Sequence, residues 1–226
     1  VSANIARLLD GPLADKPRDW RPLVYCWRGG NRSGSLATVL ARVGWHTQIL
    51  IGGYRSYRRW VVEQLPHLVA ENSFEVIAGR TGSGKSRILD ALHQAGAQVL
   101  DLEALANHRG SVLGLMPASS QPTQKAFESA LTSALRRLRR DRPIYVESES
   151  RRIGLCQLPD CLINAMRSSA CHQIEVPVAE RARYLLTDYA HFVEQPQLLL
   201  EKLSRLKQMH GAAQLQSWHQ LIEQGQ

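Results

Sequence analysis

The sequence has 226 residues and a formal net charge of +8, with 44% hydrophobic and 21% charged residues. This composition excludes an intrinsically disordered chain. No apolar run reaches the roughly 18–20 residues that a transmembrane helix needs. The 28 basic residues are 23 arginines and five lysines. Because the guanidinium fork matches phosphate oxygens, the arginine excess favours a phosphate or nucleic-acid partner, although an arginine-rich proteome would give the same bias.

The spacing of the cysteines and the pattern of the first residues predict the cellular compartment. None of the cysteines forms a C-x-x-C pair, and a chain of this length does not need disulfides to stabilise its fold. They are Cys26, Cys156, Cys161 and Cys171. The first residues lack the basic-then-apolar pattern of a secretory signal. We therefore predict a cytoplasmic protein without a zinc ribbon or a membrane association.

The pattern of apolar residues predicts two domains, at 1–70 and 71–226. Pro66 interrupts the pattern, and the polar residues 71–73 precede a new apolar run. In the first domain we predict, in chain order, a strand at 22–25, a helix through 36–43, a strand at 47–51 and a helix at 55–65.

The second domain is predicted to alternate strands with helices. The predicted strands lie at 74–78, 98–102, 143–147 and 174–178, and the predicted helices lie at 85–94, at 123–140 and from 179 onward. Such alternation is typical of a parallel sheet covered on both faces, so the fold class is α/β.

A cysteine loop connects the first predicted strand to the first predicted helix. Cys26 is followed by two arginines and two glycines, namely Arg28, Gly29, Gly30 and Arg32. Backbone N–H groups and a helix N-terminus stabilise a thiolate, which is the reactive form of cysteine, and the arginines suit an anionic donor. The alternative is an inert buried cysteine.

A phosphate-binding loop follows the strand at 74–78. The residues Gly79, Arg80, Thr81, Gly82, Ser83, Gly84, Lys85 and Ser86 satisfy G-x-x-x-x-G-K-[ST], between a strand and a helix as that motif requires. Its backbone N–H groups would surround phosphate oxygens, Lys85 would reach the terminal phosphates, and the Ser86 hydroxyl suits Mg²⁺.

Acidic residues follow two of the predicted strands. Glu147 and Glu149 could hold Mg²⁺ through water or orient a nucleophile, or they could simply be a solvated strand end. Asp101 and Glu103 lie where a parallel sheet presents its ligand contacts, and the alternative there is helix capping.

The cysteine loop and the Gly52-Gly53-Tyr54 turn resemble rhodanese-type domains. The loop is one residue longer than in ordinary sulfurtransferases, which resembles the cysteine phosphatases of that fold. Followed by a phosphate-binding loop, the chain resembles the tRNA 2-selenouridine synthase family. The resemblance also covers 101–103, Leu105-Ala106-Asn107-His108-Arg109-Gly110-Ser111, Gln121-Pro122-Thr123-Gln124 and Val146-Glu147-Ser148-Glu149-Ser150-Arg151-Arg152-Ile153-Gly154.

The resemblance implies a two-step exchange on tRNA. Geranyl diphosphate first alkylates the sulfur of the wobble 2-thiouridine, and selenium from selenophosphate then replaces the S-geranyl group to give 2-selenouridine. Cys26 would carry selenium, and the phosphate-binding loop would hold a diphosphate, so that no tightly bound cofactor is expected beyond a possible Mg²⁺. The resemblance adds as candidate site residues Asn107, His108, Arg109, Arg151 and Arg152.

By comparison with that family, this chain is expected to be incomplete. The first strands of the rhodanese-like domain are missing, and the family continues beyond Gln226. Two other functions remain open at this point. One is a P-loop ATPase with an anion-binding rhodanese-like module, and the other is a small-molecule sulfurtransferase or phosphatase.

Overall fold

A computed structural model describes residues 2–110, 120–204 and 207–224 of the chain. The chain divides into two compact units, Val1–Gln64 (unit 1) and Leu65–Gln226 (unit 2). In the described residues, no helix is long and apolar enough to cross a membrane.

Unit 1 contains a short parallel strand pair with helices before and after each strand. Its elements are α1 (Ser2–Asp10), β1 (Leu23–Val24), α2 (Asn31–Val43), β2 (Gln48–Ile49) and the first part of α3 (Gly53–Ala70). β1 pairs with β2 in parallel. Its small core is formed by Val24, Ala37, Leu40 and Trp45. The Trp45 indole N–H donates a hydrogen bond of 2.9 Å to the Pro17 carbonyl, so its polar atom is satisfied.

The helices of unit 1 are longer than the apolar pattern predicts. α2 begins at Asn31, directly after Gly30, whose φ of 76° needs a residue without a Cβ. α3 continues through Pro66 to Ala70, so the predicted end at 65 is wrong. Buried Leu65, Leu68 and Val69 explain this, because packing of these side chains outweighs the helix-breaking tendency of one proline.

Unit 2 is an α/β arrangement around four parallel strands. Its elements are β3 (Phe74–Gly79), α4 (Lys85–Gln94), β4 (Gln98–Leu100), α5 (Leu102–Ala106), α6 (Gln124–Arg137), β5 (Ile144–Glu147), β6 (Arg152–Ile153), β7 (Cys156–Gln157), α7 (Asp160–Arg167), β8 (Ala170–Ile174), α8 (Val178–Asp188), α9 (Ala190–Glu194), α10 (Pro196–Ser204) and α11 (Lys207–Glu223). The sheet order is β4-β5-β3-β8, and β6 and β7 form an antiparallel pair. The predicted parallel sheet is confirmed.

The order of the strands brings three carboxyl ends together. β5 lies between β3 and β4, with Val146 opposite Val76 on one side and Leu100 on the other. All three of these side chains are buried. The residues that follow β3, β4 and β5 therefore meet at one edge of the sheet, where open α/β sheets bind ligands.

Three predicted boundaries in unit 2 are wrong. The last strand is Ala170–Ile174, not 174–178, because Pro177 is the N-cap of α8. β4 ends at Leu100, since Asp101 caps α5. α6 ends at Arg137, three residues before the predicted end, and Leu138 has an extended backbone.

Candidate functional site

The cysteine loop in unit 1 surrounds one sulfur atom. Cys26 follows β1, and its side chain is buried. The backbone N–H of Ser33, in the first turn of α2, donates a hydrogen bond of 3.0 Å to the Cys26 sulfur. Gly29 and Gly30 have φ values of 81° and 76°, which let the loop turn back toward the sulfur.

The environment of Cys26 favours its thiolate. Hydrogen bonding by the side chain and by the backbone N–H of Ser33 lowers the pKa of the Cys26 thiol, and the charge of Arg32 lowers it further. The Ser33 hydroxyl also lies 2.8 Å from the Gly30 carbonyl oxygen, to which it donates. The Ser33 backbone N–H thus has its hydrogen bond directed at the sulfur.

The glycine turn after β2 closes against the cysteine loop. The Tyr54 N–H donates a hydrogen bond of 2.9 Å to the Cys26 carbonyl oxygen. A Cβ on Gly53 would overlap this same carbonyl, and the φ of Gly53 is 57°. Only glycine permits this approach, which explains the Gly52-Gly53-Tyr54 sequence as a structural support for Cys26.

The phosphate-binding loop in unit 2 connects β3 to α4. Gly82 and Gly84 have φ values of 81° and 79°. The Lys85 ammonium donates a hydrogen bond of 3.0 Å to the Gly79 carbonyl oxygen. The residues 81–86 line a cleft of about 300 Å³. Arg80 is exposed and lies outside this lining, against a separate cavity beside Ile174 and Arg181.

Three glutamates, which we call the acidic cluster, line the same cleft. They are Glu103 in α5, Glu147 at the end of β5, and Glu149. One carboxylate oxygen from each lies within 4.8 Å of the other two. Glu147 is 1% exposed, and its Oε1 atom is buried without a hydrogen-bond partner. Ser86 lines the same cleft, so these residues fit a divalent cation with oxygen ligands.

Burial raises the pKa values of the acidic cluster. For Glu147, burial and then the charges of Glu103 and Glu149 raise the pKa to about 9. For Glu149, burial and the charge of Glu103 raise it to about 7. Burial also raises the pKa of Glu103, although the Gly110 N–H donates to its carboxylate and opposes the shift. A bound cation would reverse these effects by stabilising the charged forms.

Other residues that the sequence singles out stabilise the surroundings of the cleft. The Asp101 carboxylate accepts a hydrogen bond of 2.8 Å from the Ala104 N–H, which is helix capping. The Asn107 amide donates to the Ser120 carbonyl oxygen at 2.9 Å. Burial lowers the pKa of His108, whose Nδ1 atom is buried without a partner. Ser111, in the same motif, lies outside the described residues.

The three candidate arginines have different positions. Arg109 lines the cleft, and its guanidinium contacts the Asp188 carboxylate at 2.7 Å. Arg151 forms an ion pair of 2.9 Å with Asp160, at the start of α7. Arg152 lines a different cavity. The structure therefore brings Arg109 to the phosphate-binding loop but does not bring Arg151 or Arg152 there.

Sequence reasoning missed the contribution of α8 to the cleft. Four residues at its C-terminal end complete the lining: Tyr184, Leu185, Asp188 and Tyr189. The Arg109 guanidinium lies 5.1 Å from the centre of the Tyr189 ring. The signal available in the sequence was an aspartate placed next to one tyrosine and four residues after another, within an otherwise ordinary amphipathic helix.

Comparison with known proteins adds the family. The family profile described as the tRNA 2-selenouridine synthase AAA domain matches residues 72–224, which is more than half of the chain. The chain belongs to the tRNA 2-selenouridine synthase family. Its phosphate-binding loop and acidic cluster both lie within the matched AAA domain.

Individual relatives are also named tRNA 2-selenouridine synthase. The chain is 39% identical over 188 residues to the tRNA 2-selenouridine synthase of Aeromonas salmonicida, covering 82% of this chain and 49% of that protein. It is 38% identical to that of Alcanivorax borkumensis, covering 74% of this chain and 45% of that protein. The chain thus spans about half the length of the curated relatives it matches. No solved structure matches it.

Proposed function

We propose that this chain modifies tRNA, by converting the wobble 2-thiouridine to 2-selenouridine through an S-geranylated intermediate. The acidic cluster in the same cleft as the phosphate-binding loop is the observation that carries this proposal, because a diphosphate with its cation needs both. The names of the relatives support tRNA selenouridine synthesis as the overall reaction. The substrates are geranyl diphosphate, selenophosphate and tRNA.

Unit 2 is assigned to geranyl transfer. The loop N–H groups at the N-terminus of α4 and the Lys85 ammonium suit the diphosphate, while the acidic cluster and Ser86 would hold Mg²⁺. When bound, Mg²⁺ would neutralise charge on the departing diphosphate. The sulfur of 2-thiouridine attacks C1 of the geranyl chain, the C1–oxygen bond breaks, and diphosphate leaves with the electron pair. The proton on N3 of the base is released to water.

Unit 1 is assigned to selenium. In this proposal it is an incomplete rhodanese-like domain in which Arg28 and Arg32 contact selenophosphate and the Cys26 thiolate attacks its phosphorus. The phosphorus–selenium bond breaks, hydroselenide leaves with the electron pair, and water then hydrolyses the phosphocysteine to the free thiol and phosphate. Alkylation of the thiocarbonyl sulfur makes it a better leaving group. This hydroselenide then attacks C2 of the base, its proton passes to N3, and geranylthiolate leaves with the electrons of the broken carbon–sulfur bond.

The decisive experiment is mass spectrometry of nucleosides. Thiolated tRNA is incubated with the protein and geranyl diphosphate, and selenophosphate is then added. We expect S-geranyl-2-thiouridine first and 2-selenouridine second. Absence of both products from correctly folded protein would overturn the proposal.

The phosphate-binding loop also fits a nucleotide, which keeps a P-loop ATPase as the second candidate. ATP hydrolysis without tRNA, together with no geranylated nucleoside, would favour that function. Turnover of thiosulfate or an aryl phosphate would instead favour a small-molecule sulfurtransferase or phosphatase.

A further inference from the structure

An aromatic series in unit 1 extends from the cysteine loop along α3. The Trp27 and Tyr54 rings are stacked, with their centroids 4.2 Å apart and an angle of 11° between their planes. Tyr57 follows at 6.0 Å from Tyr54, and Trp60 follows at 6.0 Å from Tyr57. We call these four residues the aromatic ladder.

The ladder has one exposed end, and that end is beside Cys26. Trp27 is 61% exposed, whereas Tyr54, Tyr57 and Trp60 are all partly buried. Tyr54 is fixed at its backbone by the hydrogen bond from its N–H to the Cys26 carbonyl oxygen. One face of the Trp27 indole therefore stacks on the Tyr54 ring, and the Tyr54 backbone is hydrogen-bonded to Cys26.

The charge around the ladder is strongly positive. Unit 1 contains ten arginine and lysine residues against four acidic residues, which gives +6 of the net +8 of the whole chain. Arg28 and Arg32 are exposed in the cysteine loop, and Arg55 and Arg59 are exposed on α3. Such a surface is complementary to a polyanion, and a flat exposed indole among arginines is what unpaired nucleotides bind.

From this juxtaposition we infer that Trp27, backed by Tyr54, is a stacking platform for an unpaired RNA base, with the neighbouring arginines contacting its phosphates. The inference deepens the proposed function, on which it rests, because it names the contact that would hold a loop nucleotide next to Cys26. Stacking is tolerant of sequence, since every base presents a flat π face. The platform thus selects unpaired over paired RNA and leaves the choice of base to other contacts.

The test measures RNA binding without any reaction. The full chain is titrated into a labelled RNA hairpin with a uridine-containing loop, and separately into a blunt RNA duplex, at one fixed salt concentration. Trp27→Leu is expected to weaken hairpin binding about 5- to 100-fold and to leave duplex binding unchanged. Trp27→Phe keeps an aromatic face and should retain most of the hairpin affinity.

Tyr25→Leu is the matched control. Tyr25 is 58% exposed and lies two residues before Trp27, outside the ladder, so its loss should not change hairpin binding. Unchanged hairpin affinity in Trp27→Leu would overturn the inference, as would an equal loss for hairpin and duplex. Since neither geranyl diphosphate nor selenophosphate is present, hairpin binding that depends on Trp27 would stand even if the nucleoside assay shows no product.

Discussion

In unit 1, β1 leads through a glycine-containing loop into α2, and in unit 2, β3 leads through another into α4. The two loops share their construction but differ in the groups that face them. The first surrounds a thiol with N–H donors and arginine charge, which lowers the pKa of Cys26. The second faces three carboxyl groups whose pKa values are raised by burial and mutual repulsion.

This difference indicates which kind of ligand each loop can bind. A loop that already stabilises an anion on its own cysteine can hold a nucleophile. A loop that faces buried carboxyl groups suits a divalent cation, which would stabilise their charged forms, and with that cation it can hold a polyphosphate. Net charge differs between the units in the same way. It is +6 in unit 1 and +2 in unit 2, which has 18 basic and 16 acidic residues.

The largest expected effect separates the two units by reaction. Cys26→Ser should abolish formation of 2-selenouridine and leave S-geranylation largely intact, because geranyl transfer is assigned to unit 2. Nucleoside mass spectrometry measures both products in one sample. Cys171→Ser, which changes an exposed cysteine on β8, is the control and should keep both reactions. Unchanged selenation in Cys26→Ser would overturn the proposed role of this cysteine in supplying selenium.

The next effect concerns affinity at the phosphate-binding loop. Lys85→Ala removes a charge-assisted contact, which typically contributes about 1.5–3 kcal/mol, so geranyl diphosphate binding should weaken roughly 10- to 100-fold. Calorimetry with geranyl diphosphate and with ATP measures this. Arg80→Ala is the control, since Arg80 lies outside the cleft. Tight ATP binding without geranyl diphosphate binding would indicate a nucleotide site.

A smaller effect is expected on the free energy of unfolding, whose pH dependence the acidic cluster changes. The folded-state pKa of Glu147, about 9, is above the ordinary value of 4.5. Folded protein therefore retains a proton that unfolded protein releases, and stability falls as pH rises from about 5 to 9. With EDTA present, Glu147→Gln should flatten this fall and be more stable near pH 9, by on the order of a few kcal/mol.

Thermal unfolding across this pH range measures the effect. Glu63→Gln, at an exposed position in unit 1, should leave the pH dependence as it is. Added Mg²⁺ should stabilise the wild-type protein and stabilise Glu147→Gln much less. A pH dependence that is identical in wild type and Glu147→Gln would show that Glu147 is ionised at neutral pH.

The smallest expected effect is on the reactivity of Cys26. Ser33→Ala and Arg32→Ala should each move the pH midpoint of its alkylation upward, because each removes a group that lowers the thiol pKa. Alkylation is followed by mass spectrometry of the Cys26 peptide in a Cys171→Ser background. Arg42→Ala, at the other end of α2, should leave the midpoint in place.

Much of the candidate site could be predicted because it follows from strand ends. The positions of Glu103 and Glu147 beside the phosphate-binding loop follow from a parallel sheet with β5 between β3 and β4. β8 was misplaced because it is an edge strand with mostly exposed side chains, so its apolar pattern is weak, and the apolar residues at 174–178 lie mostly beyond it. Edge strands give little periodic signal.

The part contributed by α8 could not be predicted. Asp188 and Tyr189 reach the cleft through tertiary packing, which no local spacing encodes. The same holds for Trp27, whose stacking partner Tyr54 is 27 residues away and reaches it only through the glycine turn at Gly53. Sequence patterns indicate which residues are reactive, but long-range contacts decide which of them meet.

Two glutamine side chains in unit 2 hydrogen-bond to backbone groups as another strand would. The Gln121 amide donates to the carbonyl oxygens of Ala106 and Ile153, both at 3.0 Å, and its oxygen accepts from the Leu155 N–H at 2.7 Å. Gln124 makes the same reciprocal pair with Gln157, as one strand does with another.

These contacts make Gln121 intolerant of conversion to glutamate. Deamidation to glutamate would preserve the shape of the side chain but replace two donated hydrogen bonds with a carboxylate facing two carbonyl oxygens. The connection from α5 to the β6–β7 pair would then open without any change in the residues that line the cleft. A single change of amide to acid would thus act through a residue outside the cleft lining.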